Sequence, residues 1–214
     1  MAGGRKILVT GASGFIGGSL CKVLVERGFS VTALVRSENG LPCKGVHCLV
    51  QDLEREFDED VFAGGFDAVV HLAGKAHGKG GANEQTFEAF ERSNVAPTRR
   101  LAECLAAGST QRFIYLSSIG VHGDSTLGSP ITEQSGERPH ADYARSKLQG
   151  EMALRESLAG STTAFPLFGL HWFMERMLRE ILAGLSLCAV EICRCPYAMR
   201  IIGEAWSRWM LWSS

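Results

Sequence analysis

A glycine-rich turn near residue 11 constrains this chain more than any other feature of its sequence. The apolar run Lys6–Thr10 predicts a strand, and apolar residues at helical spacing over Phe15–Arg27 predict a helix. Gly11 permits the tight turn between them, Gly14 lets the backbone approach a pyrophosphate, and Gly17 allows close packing of helix on strand. The free N–H groups at the helix start complete a predicted site for dinucleotide phosphates.

Strand and helix signals alternate over the first 160 residues. Further strands are predicted at Ser30–Val35, Val46–Val50, Asp67–Ala73 and Arg112–Ser118, and further helices at about residues 84–107 and at Asp142–Leu158. Strands that are apolar on both faces, alternating with amphipathic helices, predict an α/β fold. We expect a Rossmann-type doubly wound parallel sheet over residues 1–160, with helices on both faces.

The residue after the second predicted strand bears on which dinucleotide is bound. Rossmann-type sites usually carry an acidic residue there, which holds the ribose 2′-hydroxyl. This chain has Arg36, whose charge and bidentate geometry suit a 2′-phosphate, and Glu38 lies nearby in sequence as a rival acid. We therefore expect NAD or NADP, with NADP slightly favoured by Arg36.

A tyrosine and a lysine stand four residues apart in the last predicted helix. Tyr143 and Lys147 therefore share one face of that helix. The pKa of tyrosine is ordinarily about 10, but the neighbouring ammonium and a cationic nicotinamide ring are predicted to lower the pKa of Tyr143 and favour the phenolate. Ser118 ends the fifth predicted strand, at the edge where parallel sheets bind ligands. Together the three side chains predict proton exchange with a hydroxyl or carbonyl group.

Six short segments of the chain carry a family resemblance. They are Thr10–Gly17, Gln51–Leu53, His71–Gly74, Asn94–Thr98, Ser117–Gly123 and Tyr143–Lys147. On these segments, residues 5–158 resemble the extended short-chain dehydrogenase/reductase family, in its NAD-dependent epimerase/dehydratase branch. The resemblance implies that Ser118, Tyr143 and Lys147 form a catalytic triad, in which Tyr143 is the acid/base and Lys147 also holds the nicotinamide ribose.

The resemblance also implies a cofactor site spread over several strand ends. Asp52 matches the residue that contacts adenine, with Leu53 beside it. Ala73 and Gly74 match the loop against the middle of the cofactor, and Asn94 matches a structural, cofactor-side position. The full set expected to bind cofactor is Gly11, Ser13, Gly14, Phe15, Ile16, Gly17, Arg36, Asp52, Leu53, Ala73, Gly74, Asn94, Tyr143 and Lys147. His122 stands where the family often has tyrosine and is assigned no role, and His71 is expected in the core.

The segment from Ser117 to Gly123 looks most like bacterial nucleotide-sugar enzymes of surface-polysaccharide (O-antigen) synthesis. The resemblance implies a UDP-sugar substrate and hydride exchange at C4 of a UDP-hexose, as in UDP-glucose 4-epimerase, with Tyr143 moving the hydroxyl proton. One alternative is an NADP-dependent 4-keto-sugar reductase or dehydrogenase, and another is a reductase of small carbonyl or flavonoid-type substrates. A third is a non-catalytic dinucleotide-binding regulator, against which the intact triad argues.

Composition narrows the partners and the compartment. A net charge of −1 argues against a nucleic-acid binder. No run reaches the ~20 apolar residues of a membrane span, and the first residues do not resemble an export signal. The scattered cysteines suit reduced thiols, and Cys193-x-Cys195 lacks a second ligand pair, so no metal is expected. We expect a cytoplasmic protein that forms a homodimer in the full-length family form.

Residues 161–214 do not continue the earlier pattern. They contain all four tryptophans but neither Asp nor Lys. The family continues with a sixth strand, an Arg-Pro-x-x-Val-Tyr-Gly segment and a substrate domain, whereas here Thr162–Phe165 begins like that strand and the pattern stops. Read one base out of frame, the codons of Phe168–Glu175 permit Arg-x-x-Leu-Val-Tyr-Gly. We therefore expect a frameshift between about Thr162 and Phe168, an aberrant tail, an open sheet edge and impaired activity.

Overall fold

A six-stranded parallel sheet organises the computed structural model, which describes residues 4–170 except for 56–57, 64, 77–85, 107, 125–130, 133–134, 162 and 164–166. The strands are β1 Lys6–Thr10, β2 Ser30–Val35, β3 His47–Val50, β4 Ala68–His71, β5 Arg112–Ser118 and β6 Leu167–Leu170. Their order is β3-β2-β1-β4-β5-β6, and each described pair is parallel. This arrangement confirms the predicted doubly wound parallel sheet.

Helices connect the strands. They are α1 Phe15–Glu26, α2 Asp60–Ala63, α3 Phe87–Phe90, α4 Ala96–Ala106 and α5 Asp142–Ser157, with short 3₁₀ turns at Glu38–Gly40 and Ile119–His122. The long helix predicted at about residues 84–107 is not uniform, because a π-helical turn over Glu91–Val95 separates α3 from α4. Single π turns inside helices are frequent at functional sites, and this one carries Asn94.

The core lies on both faces of the sheet because alternate residues of each strand point to opposite sides. On one face α1 packs through Leu20, Cys21 and Leu24 against strand residues such as Val9 and Val31. On the other face, residues of α2, α4 and α5 pack against the intervening strand residues. These are Phe62, Leu101, Leu105 and Leu154, against Leu8, Leu34, Val69, Phe113 and Tyr115.

The sixth strand corrects one prediction. The expectation of an open edge beside β5 is wrong, because the backbone of β6 pairs with β5 from Tyr115↔Leu167 to Ser118↔Leu170. Long-range backbone pairing thus supplies a strand where the side-chain pattern ends. Residues 171–214, including Cys193 and Cys195, lie outside the described residues. The boundary near residue 160 and the frameshift remain predictions.

Candidate active site

The glycine turn lies at the point where the strand order reverses, between β1 and β4. Gly11 has φ +65°, a left-handed conformation, and an added Cβ there would lie 2.7 Å from the backbone N of Ala73. The turn is closed by the N–H of Gly14, which donates to the carbonyl of Gly11 at 3.0 Å. Such a switch point is where open parallel sheets bind their ligands.

The start of α1 has the features of a phosphate site. Gly14 is its N-cap, no acidic residue lies in the first turn, and a Cβ added at Gly14 would approach only the carbonyl oxygen of Gly11, at 3.2 Å. Gly17 differs, because its added Cβ would lie 2.3 Å from that same oxygen. Phe15 is 84% exposed and Ser13 is exposed, whereas Ile16 packs against the core.

The predicted adenosine-side residues follow β2 and β3. Arg36 comes directly after β2 and is exposed. The Asp52 carboxylate accepts from the N–H of Glu54 at 3.1 Å and lies 3.5 Å from Nε of Arg55. Leu53 is buried, and its carbonyl accepts from the Arg100 guanidinium at 3.0 Å, so α4 fixes this loop. These side chains therefore stand at the same edge of the sheet as the glycine turn.

Asn94 organises the loop after β4. It is 2% exposed, and its amide oxygen accepts from the N–H of Lys75 at 2.7 Å. Its amide nitrogen donates to the carbonyl of Lys75 at 3.1 Å and to the hydroxyl of Ser146 at 2.9 Å. Asn94 therefore links α5, through Ser146, to Lys75, the residue that follows Ala73 and Gly74. These bonds give Asn94 a structural part in the site, and its predicted cofactor-side role stays a prediction.

Lys147 is a buried cation at the carboxyl edge of β5. Its side chain is 5% exposed, and Nζ donates to the carbonyl of Leu116 at 3.0 Å. Nζ lies 4.9 Å from the ring centroid of Tyr115 and would be 3.2 Å from a Cβ added at Gly74. Burial lowers the pKa of Lys147 to about 8, and the nearby Glu151 carboxylate opposes that shift. The ammonium is therefore retained at neutral pH.

Tyr143 and Lys147 share one face of α5, as predicted. The ring centroid of Tyr143 lies 5.9 Å from Nζ of Lys147 and 5.8 Å from the ring of Phe90, which it meets edge to face. Burial raises the pKa of Tyr143 above its ordinary value. The ammonium alone does not lower this pKa, because desolvation of the phenolate dominates at that separation; the predicted lowering, which also depends on a cationic nicotinamide ring, stays a prediction.

Ser118 faces the first turn of α5 across Gly120. A Cβ added at Gly120 would lie 3.4 Å from the Ser118 hydroxyl and 3.3 Å from Cβ of Ala144, the neighbour of Tyr143. The Ser118 hydroxyl accepts from the N–H of Gly120 at 3.2 Å. The structure thus brings the three residues of the predicted triad to one edge of the sheet.

Sequence reasoning missed a buried acid beside the triad. Glu151 follows Lys147 by one helical turn, is 8% exposed, and accepts a hydrogen bond from the hydroxyl of Ser117. Burial raises the pKa of Glu151, opposed chiefly by the Ser117 hydrogen bond and then by Arg155. The signal was present in the sequence, since residues 143, 147 and 151 repeat at a spacing of four.

A parallel sheet in this strand order, with a glycine turn at its switch point and a Tyr-x-x-x-Lys helix over its carboxyl edge, defines a Rossmann-type dehydrogenase/reductase architecture. The chain belongs to the NAD dependent epimerase/dehydratase family, whose model matches residues 7–181. The predicted family is thereby confirmed.

Relatives and solved structures agree with this membership. The chain is 31% identical over 156 residues to UDP-glucose 4-epimerase of Vibrio cholerae, covering 70% of this chain and 46% of that protein. It is 34% identical over 168 residues to UDP-glucose 4-epimerase 4 of Oryza sativa subsp. japonica, covering 71% and 44%. MoeE5 in complex with UDP-glucose and NAD is similar with 29% identity and a TM-score of 0.64, over 76% of this chain and 52% of that chain. The chain spans about half the length of the curated relatives it matches.

The residues that the structure describes were also searched for membrane-spanning helices and for metal-binding groups. None of the helices there is both long enough and apolar enough to cross a membrane. Among the same residues, no group of three or more His, Cys, Asp or Glu side chains could hold a metal ion.

Proposed function

We propose that this chain carries the cofactor-binding and acid–base half of a nucleotide-sugar 4-epimerase, which acts at C4 of a UDP-hexose. One observation carries the proposal: Tyr143 and Lys147 share a face of α5 beside Ser118, with Nζ of Lys147 pressed against the Gly74 loop at the β1–β4 switch point. The matched relatives named UDP-glucose 4-epimerases, and the similar structure that holds UDP-glucose and NAD, support this substrate class.

The described residues fit an NAD(P) cofactor. A Cβ added at Gly14 would approach only the carbonyl oxygen of Gly11, so the space beside the start of α1 is open. The first turn of α1 contains no acidic residue that would repel a phosphate from its N–H groups. In this proposal the glycine turn would hold the pyrophosphate, Asp52 would contact the adenine and Lys147 would hold the nicotinamide ribose. When bound, the nicotinamide supplies a hydride acceptor and donor.

The proton chemistry falls to Tyr143. Oxidation of a C4 hydroxyl needs the phenolate of Tyr143, which would take the hydroxyl proton as a hydride leaves C4; the ammonium of Lys147 and a cationic nicotinamide ring would favour that phenolate against the burial that raises its pKa. Once a C4 carbonyl has formed, the Tyr143 hydroxyl would return its proton to the carbonyl oxygen as the hydride returns to C4. The Ser118 hydroxyl, which accepts from Gly120, has its own hydrogen to donate to the same substrate oxygen.

A Tyr143→Phe substitution tests this assignment. We expect turnover of UDP-glucose to UDP-galactose to fall by about 10²- to 10⁴-fold, with NADH affinity within about twofold of wild type. The tail is expected to impair turnover, so a single-turnover assay is also needed. In it, UDP-glucose is added to the NAD-loaded chain and the reduction of bound NAD is measured by the fluorescence of the NADH formed. Unchanged rates in Tyr143→Phe would contradict the proposal. NADH binding without any wild-type chemistry would favour a regulator.

Stoichiometry separates the epimerase from a 4-keto-sugar reductase. An epimerase converts UDP-glucose without net consumption of cofactor, whereas a reductase oxidises one NADPH for each 4-keto sugar it reduces. The reductase is the second candidate because it is NADP-dependent and the charge of Arg36 favours the 2′-phosphate of NADP. Stoichiometric NADPH oxidation with no epimerisation would replace the epimerase by the reductase.

The cofactor preference is tested at Arg36. We expect Arg36→Ala to weaken NADP binding by about tenfold and to leave NAD binding nearly unchanged, because only NADP carries the 2′-phosphate. Arg27→Ala is the matched control, since Arg27 is also exposed but caps the opposite end of α1. Equal losses for both cofactors, or for both variants, would remove Arg36 from the site.

Three broader expectations belong to the same proposal and rest on the resemblance. A role in surface-polysaccharide synthesis is tested by the polysaccharide profile of a deletion strain. A homodimer is tested by light scattering, and a cytoplasmic location is tested by cell fractionation.

A further inference from the structure

His71 is more than a packed ring at the end of β4. It is 1% exposed, and both of its ring nitrogens have partners: Nδ1 lies 2.6 Å from Oγ1 of Thr10, and Nε2 lies 2.9 Å from Oγ1 of Thr98. Its ring stacks on Tyr115 at 5.7 Å and meets the edge of Phe113 at 5.9 Å. A hydrophobic side chain would fill this volume but would bond neither hydroxyl.

The directions of these bonds follow from their outer partners. The hydroxyl of Thr98 donates its one hydrogen to the carbonyl of Asn94 at 2.5 Å, so in its bond with His71 it must accept. Nε2 of His71 therefore carries the proton. Nδ1 then accepts from the hydroxyl of Thr10, whose oxygen accepts in turn from the N–H of Ala73 at 3.1 Å. One neutral tautomer satisfies every donor in the series.

The series of bonds reaches both halves of the candidate site. At one end Thr10 directly precedes Gly11, and Ala73 belongs to the loop that the glycine turn meets. At the other end the series reaches the backbone carbonyl of Asn94, in the π turn, and the side-chain amide of the same residue donates to Ser146 at 2.9 Å. Ser146 then donates to the backbone carbonyl of Tyr143 at 2.7 Å.

We propose that His71 is a positioning residue that couples the cofactor turn to the tyrosine end of α5, acting as acceptor toward Thr10 and donor toward Thr98. The catalytic part of this inference rests on the proposed function, whereas the tautomer and its bonds do not. A histidine suits the task because its rigid ring presents an acceptor on one side and a donor on the other, in a buried site.

Two substitutions separate the two bonds. In His71→Asn the amide oxygen replaces Nδ1, so the bond to Thr10 is kept and the bond to Thr98 is lost. In His71→Gln the amide nitrogen replaces Nε2, so the bond to Thr98 is kept and the bond to Thr10 is lost. Thr98→Val removes the far hydroxyl without touching the ring and is the matched control for His71→Asn.

The first experiment reads the tautomer directly from ¹⁵N NMR of the histidine ring. We expect a protonated Nε2 and an unprotonated Nδ1 for His71, with no titration between about pH 5.5 and 8.5, because burial and then Lys147 lower its pKa to about 3. This result does not depend on catalysis. A proton on Nδ1, or a titration near neutral pH, would overturn the proposal.

The second experiment measures NADH affinity together with the ¹³Cζ signal of Tyr143 in the NADH complex. We expect His71→Gln to bind NADH about fivefold more weakly with the Tyr143 signal unchanged, in keeping with one lost hydrogen bond. We expect His71→Asn and Thr98→Val to bind NADH within about twofold of wild type but to shift the pH titration of Tyr143. Equal changes in all variants, or none, would overturn the coupling. Wild-type chain that binds no NADH would refute the proposed function instead.

Discussion

Adjacent glycines of α1 offer a matched test of the glycine turn. Both Gly17 and Gly18 lie inside the helix, so replacing either by alanine brings the same gain in helix propensity, about 1 kcal/mol. A Cβ added at Gly18 would make ordinary contacts at 3.7 Å with Ala12 and Pro42. A Cβ added at Gly17 would lie 2.3 Å from the carbonyl oxygen of Gly11 and 2.8 Å from Cα of Ala12.

The difference between the two variants isolates the cost of that clash. The atoms in the way at Gly17 are backbone atoms, which cannot rotate aside, and the turn and helix must move about 0.7 Å apart to reach even 3.0 Å. Overpacking of this kind costs about 1–3 kcal/mol. Because the propensity gain cancels, we expect Gly17→Ala to be less stable than Gly18→Ala by that amount, with Gly18→Ala more stable than wild type by about 1 kcal/mol.

Urea unfolding, followed by far-ultraviolet circular dichroism, measures the difference as a shift in midpoint at constant m-value. NADH fluorescence measures the functional consequence, since the displaced atoms belong to the glycine turn. We expect weakened NADH binding in Gly17→Ala only. Equal stability and equal NADH affinity in the two variants would refute the argument that Gly17 is required by close packing.

Three further predictions concern the helices around the site. Burial lowers the pKa of Lys147 from 10.5 to about 8, so the unfolded chain binds this proton more tightly in that range. The unfolding free energy of wild type should therefore rise relative to Lys147→Met by up to about 3 kcal/mol between pH 8 and 10.5, and a flat difference in urea unfolding would contradict the burial. Thr86→Ala removes the hydroxyl that accepts from Ala89 at 3.3 Å at the start of α3, and should lose about 1 kcal/mol by urea unfolding while Thr86→Ser does not. Gly150→Ala places a Cβ 2.3 Å from Oη of Tyr115. Overpacking costs about 1–3 kcal/mol and the helix-propensity gain offsets about 1 kcal/mol, so we expect a net loss of up to about 2 kcal/mol by urea unfolding. Tyr115→Phe should restore part of this loss, and strict additivity in the double-mutant cycle would exclude the clash.

Local signals in the sequence predicted much of the fold and most of the residues proposed for the site. The bounds of β1, β2 and β5 were predicted to the residue, because each is a short apolar run closed by a polar or glycine signal. Other bounds differ by a few residues: β4, for example, ends at His71 instead of Ala73. The glycine turn and the Tyr-Lys pair could also be recognised from the sequence, because each is defined by the spacing of residues along one stretch of chain.

Contacts between distant stretches of chain decided the rest. The backbone pairing with β5 places β6 at Leu167–Leu170, whereas the side-chain pattern indicated only the beginning of a strand at Thr162–Phe165. The burial that raises the pKa of Tyr143 comes from elements packed around α5, whereas the sequence showed only its neighbour Lys147.

His71 shows the same division within a single residue. The sequence placed it in a strand and in the core, and it is indeed buried. Its partners Thr10 and Thr98 lie 61 and 27 residues away, so only the folded chain brings their hydroxyls to the two ring nitrogens. Residue type and spacing therefore determined most of the groups that we propose for the site. Tertiary packing decided their protonation and hydrogen-bond partners, because both depend on burial and on contacts between residues far apart in sequence.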